Sequence, residues 1–163
     1  MNRDKSIKLL NAAIGDELSA IHQYMYFHFR LDDLGYTPLA NLLKRTAIEE
    51  MQHAEMIAER ILFLGGEVEM KVASEVEKIH DAEQMVAAAK GLEEQAIEMY
   101  NRFSVQCAEA ADSGSKKLFE DLVAAEEIHW DQFDRQGDFI KRFGERYLAL
   151  QSFEGDQGAT PAP

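Results

Sequence analysis

The stretches ELSAIHQY (residues 17–24) and EMQH (50–53) recur later in the chain as EEQAIEMY (93–100) and EEIH (126–129). Glu17, Tyr24, Glu50 and His53 each have a like residue 76 positions on, at Glu93, Tyr100, Glu126 and His129. Ala20-Ile21 and Ala96-Ile97 keep the same offset. A repeat of this kind reads as two copies of one helical hairpin. On a helical wheel Glu17 falls among Leu10, Ile21 and Tyr24, and Glu50 among Leu43, Ile57 and Ile61. Glu93 falls among Val86, Ile97 and Tyr100, and Glu126 among Phe119, Trp130 and Phe133. One carboxylate from each of four helices therefore points into an apolar core. Buried carboxylates are costly, and they persist where they are paired or coordinate a metal.

Working outward, the apolar spacing predicts four long helices. The first runs from an N-cap at Asp4 to Leu34, where Gly35 ends it. The second starts at Thr37, as N-cap, with Pro38 at the first helical position, and runs to Leu64 before Gly65-Gly66. Residues 65–80 lack periodicity and are long enough to cross from one end of a bundle to the other. The third helix spans about Asp81 to Ala111, a turn occupies Asp112-Ser113-Gly114, and the fourth spans Ser115 to Phe143. A short fifth helix is expected from Glu145 to Gln151. Two hairpins joined by one long crossover make an all-α four-helix bundle. The expected organisation is one domain over 1–151 and a disordered tail over 152–163.

His53 and His129 follow their glutamates by three residues, on nearly the same helix face. One Glu-x-x-His on a helix is common and carries little. Two such motifs, with a glutamate from each of the other helices, form the ligand set of di-iron carboxylate bundles. Oxygen ligands with imidazole suit iron or manganese better than thiolate-preferring metals, and zinc stays open as an occupant. The neighbouring Glu49, Glu94 and Glu127 sit a wheel step away and are expected in solvent or at a subunit contact. Glu93 is preferred to Glu94 because it keeps both the repeat offset and the core face.

Thirty acidic against 17 basic residues give a formal charge of −13, which disfavours nucleic-acid binding. The one cysteine, Cys107, permits no intrachain disulfide and reads as a small buried hydrophobe. The first residues lack the apolar stretch of a signal peptide, and no apolar run is long enough to span a membrane, so the cytoplasm is the expected location.

The segments DELSAIHQY, AIEEMQHAEMIAERILFLGG and AAEEIHW resemble helix signatures of the bacterioferritins, and the likeness covers roughly residues 3 to 150. The resemblance implies a ferritin-like bundle whose di-iron ligands are Glu17, Glu50, His53, Glu93, Glu126 and His129, with Glu50 and Glu126 bridging. It implies a ferroxidase that oxidises Fe(II) with O2 or H2O2 and stores ferric mineral inside a 24-subunit shell. It also implies a haem shared by two subunits, with Met51 as its axial ligand, and a small ferredoxin-type electron donor. Met51 itself lies off the core face, towards a flank of Ala40, Ala47, Ala54 and Ala58. On the residues alone, packing of Met51 in a dimer interface is the competing reading, and His22 suits a haem edge or an interface equally. Tyr24 and Tyr100 face the carboxylates and are candidates to hydrogen-bond them. A rubrerythrin-like di-iron peroxidase or another non-storage di-iron oxidase is the rival function; rubrerythrins usually carry a Cys-x-x-Cys module that one cysteine cannot form. The tail SFEGDQGATPAP has no readable motif.

Overall fold

The computed structural model describes residues 1–153. Four long helices, α1 (Arg3–Asp33), α2 (Thr37–Phe63), α3 (Ala82–Glu109) and α4 (Ser113–Phe143), are followed by a short α5 (Glu145–Phe153). They contain 31, 27, 28 and 31 residues, so each long helix spans about 40–47 Å. α1 packs along α2 and α3 along α4, and the two hairpins meet with α1 beside α3 and α2 beside α4.

The helix starts differ slightly from the sequence expectation. Asn2, not Asp4, caps α1 by accepting the Lys5 amide. The α2 cap position is Tyr36, and Thr37 is already helical. Asp112 is the cap of α4: its carboxylate accepts from Ser115, so Ser113 and Gly114 form the first turn instead of a linker. Gly35 closes the α1–α2 turn at a φ of +80°, where a side chain would be strained. α5 extends through Phe153, two residues past Gln151; the remainder of the expected tail, 154–163, lies outside the described residues.

The core is divided in two along the bundle axis. At one end Tyr24, Phe27, Leu31, Leu39, Leu43, Met85, Phe133 and Ile140 pack together. At the other, Leu10, Ile14, Ile57, Ile61, Phe119 and Leu122 do so. On the four long helices the repeat's glutamates, with the histidines of α2 and α4, lie between these clusters. The polar layer therefore sits mid-bundle with an apolar plug on either side. Ala40 and Ala47 belong to the first cluster and are fully buried, so the expected small-residue flank around Met51 reduces to Ala54 and Ala58.

The crossover, residues 64–81, is irregular but tightly held. Asn11 bonds the Glu67 carbonyl and the Glu69 amide. Ser19 accepts from the amides of Ala73 and Ser74, and Gln23 bonds both the amide and the carbonyl of Glu77. A Cβ on Gly15 would stand 3.1 Å from the Lys71 carbonyl oxygen, so the absence of a side chain there lets the crossover lie flat on α1. Among the described residues no helix is long and apolar enough to cross a membrane.

Candidate metal centre

Glu17 comes from α1, Glu50 and His53 from α2, Glu93 from α3, and Glu126 and His129 from α4. All six are buried. They form two overlapping sets, Glu17–Glu50–His53–Glu126 and Glu50–Glu93–Glu126–His129, and within each set the ligand atoms lie within 4.8 Å of one another. Around His53 Nδ1 stand Glu50 Oε2 at 2.7 Å, Glu126 Oε1 at 3.0 Å and Glu17 Oε1 at 3.6 Å. Around His129 Nδ1 stand Glu126 Oε2 at 3.0 Å, Glu50 Oε1 at 3.1 Å and Glu93 Oε2 at 3.8 Å. Glu50 and Glu126 thus turn one oxygen to each half, while Glu17 and Glu93 serve one half each. The two imidazole rings stack at 5.7 Å between centroids.

Several of these atoms are close without being hydrogen-bonded. Both Glu50 oxygens, His53 Nδ1 and Glu126 Oε1 are buried with no hydrogen-bond partner. Ligand atoms that converge in this way are the arrangement a cation satisfies, and leaving such groups unmet is expensive.

Burial and mutual charge set the protonation of the metal-free cluster. Burial pushes Glu17 well above the carboxylate range, and it lifts Glu93 to about 8 with help from the charges of Glu50 and Glu126. Glu126, although buried, is held down at about 2 by the imidazoles of His129 and His53 that face it. Burial disfavours the imidazolium of His53, but the facing carboxylates of Glu126, Glu17 and Glu50 outweigh it and raise the group to about 12. His129 moves the same way, against its burial, through Glu126, Glu50 and Glu93. Without a metal, the cluster balances its charge with protons; a pair of divalent cations displaces them.

The surrounding residues hold the cluster in place. The Tyr24 hydroxyl donates to Glu93 Oε1 at 2.5 Å, and the Tyr100 hydroxyl donates to Glu17. Each tyrosine therefore braces the one-sided carboxylate of the opposite hairpin. A cavity of about 260 Å³ reaches the cluster between α1 and α3, bounded by Asp16, Gln95 and the crossover residues Ala73 and Ser74.

Glu94 and Glu127 are exposed, as expected. Glu49 is not simply in solvent. Its half-exposed carboxylate meets His129 Nε2 at 2.6 Å, a contact the wheel reading missed because a glutamate side chain spans the gap between two faces. Met51 lies outside the cluster and is 56% exposed. Cys107 is fully buried.

A sequence model of the ferritin family, the ferritin-like domain, matches residues 7–143. The chain is similar to the bacterioferritin of Desulfovibrio desulfuricans, at 39% identity over 89% of this chain and 81% of that one. It is also similar to the bacterioferritin of Rhodobacter capsulatus, at 36% identity over 90% of this chain and 91% of that one. An X-ray structure of the Desulfovibrio desulfuricans protein, described as showing its diiron site in different catalytic states, superposes with a TM-score of 0.92. That superposition covers 99% of this chain and 94% of that one at 36% identity. The chain belongs to the bacterioferritin family. This bacterioferritin is an iron-storage protein with the all-helical ferritin-like fold, and its mid-bundle layer is a buried Glu/His di-iron ferroxidase site.

Proposed function

We propose that two Fe(II) ions are bound as substrate with Glu17 and His53 on one and Glu93 and His129 on the other, Glu50 and Glu126 bridging the pair. The observation that carries this reading is the shared use of Glu50 and Glu126, each of which turns one oxygen to each histidine. The bound ions supply the electrons that reduce O2 or H2O2. The protein's part is to hold them close in an anionic site whose carboxylates can shift between one- and two-oxygen binding as charge builds. Tyr24 and Tyr100 keep the one-sided carboxylates aimed, and the apolar plugs above and below exclude bulk water.

The assembly implied by the family is a shell of 24 copies that holds the ferric product. In that assembly Met51 offers a thioether to a haem shared by two subunits. Its fit rests on its exposure, with exposed Ile48 three residues before it on the same helix. Such a haem would carry electrons inward for release of stored iron, with a small ferredoxin-type protein as donor and the cytoplasm as location.

The site is tested by the double variant Glu93→Ala/Glu126→Ala, measured for oxidation of a few Fe(II) per chain in air. Loss of the rapid phase is expected, and an unchanged rate sinks the ligand assignment. The haem is tested by Met51→Leu, expected to purify without a Soret band; retention of the band rejects the axial role.

A further inference from the structure

The two halves of the site are related by the 76-residue repeat, and one contact breaks that relation. His53 and His129 both turn Nδ1 towards the carboxylates. The far nitrogen of His129, Nε2, lies 2.6 Å from a Glu49 oxygen. The residue 76 positions after Glu49 is Ala125, which has no acceptor to offer. Among the described residues no hydrogen bond is made by Nε2 of His53.

We infer that Glu49 is a positioning residue for His129, and that through this one contact the two metal positions are made unequal. The inference rests on the six-residue ligand set proposed above. A carboxylate accepting from Nε2 fixes the tautomer, leaving the Nδ1 lone pair free for a metal, and it locks the ring plane. It also raises the basicity of the imidazole, so the ion beside Glu93 and His129 gains a stronger donor than the ion beside Glu17 and His53. Glu49 meets the ring at Nε2 and not at the Nδ1 that faces the cluster, so it acts on the metal through the histidine. Glu50 and Glu126 turn one oxygen to each position, and Glu49 sets the two histidines apart.

The test titrates the metal-free protein with Co(II), which reports binding through its visible bands and does not depend on iron oxidation. The wild-type chain should take up two Co(II) ions in two steps of different affinity. Glu49→Ala should weaken one step by about 10- to 100-fold, the usual consequence of losing such a partner, and leave the other unchanged. Glu49→Gln, whose amide oxygen still accepts from Nε2, should recover most of the loss. Both steps unchanged in Glu49→Ala, or both weakened alike with no recovery in Glu49→Gln, overturns the inference. A wild-type chain that takes up no pair of Co(II) ions overturns the ligand set itself and is distinguishable from either result.

Discussion

Tyr24 on α1 donates its hydroxyl to Glu93 on α3, 2.5 Å away and fully buried, so at the metal layer α1 and α3 are joined across the hairpins by a tyrosine-to-carboxylate bond. The reverse contact is Tyr100 to Glu17. Both tyrosines are shifted well above their ordinary range by burial and then by the carboxylates they face, which keeps them as donors. Replacing Tyr24 by Phe removes the hydroxyl that holds Glu93 Oε1. Metal affinity should fall by about 10-fold or more, with little change in helix content. Equal Co(II) affinity in Tyr24→Phe and wild type would show that the brace is dispensable.

The metal-free protein should lose stability as pH rises from 6.5 to 8. Glu93, at about 8 in the fold against an ordinary 4.5, and His53, at about 12 against 6.5, both bind more protons folded than unfolded across that window. The stability they contribute is complete below their unfolded values and is lost as pH climbs through the folded ones. Glu126, at about 2 in the fold, acts with the opposite sign, and its contribution is lost only as pH falls below about 4.5. Zn(II) binds the deprotonated ligands, so the loaded protein should show a flat or rising melting temperature over the same range. A metal-free melting temperature that rises between pH 6.5 and 8 contradicts this protonation scheme.

Gln23 is buried and uses both ends of its amide on Glu77, with distances of 2.9 and 2.7 Å. Gln23→Ala removes both bonds and should cost about 1–3 kcal/mol, with faster exchange of the Glu77 amide. Urea unfolding and amide exchange measure the two effects separately. Unaltered exchange at Glu77 would mean that the crossover is held by other contacts.

Asp112 is buried at the start of α4 and accepts from Arg60 Nη2 at 2.5 Å and from Ser115 Oγ at 2.6 Å. Those bonds override its burial and hold it at about 2. Asp112→Ala removes the helix cap and strands Arg60, which should destabilise the fold by about 3–5 kcal/mol. Asp112→Asn keeps the cap acceptor and should recover part of that loss. Denaturant midpoints decide it, and midpoints equal to wild type in both variants would show that neither cap nor pair matters.

The fold was largely legible because its signals are local. Glycines and proline mark the turns, and the apolar stripes give four helices to within a few residues. The candidate site was legible because a repeat preserves spacing: Glu50 and Glu126 fall on core faces where an unpartnered carboxylate has no bland explanation. Glu49 was not legible, since a wheel places Cα atoms and not the reach of a flexible side chain. The crossover was legible as an aperiodic connector, but not how it is held. Its order comes from Asn11, Ser19 and Gln23, polar residues on α1 whose backbone partners lie 54 to 58 positions away. Ala40 and Ala47 were assigned to an open flank, but small residues suit a close helix crossing as well as a surface, and these two are in the core.

The most direct test of the account is to add excess Fe(II) in air to the metal-free protein, then size the product and count its iron. The account predicts a large shell that co-elutes with hundreds of irons. A small species holding about two irons per chain, the content of one di-iron site, would leave the bundle and its ligands standing but contradict storage.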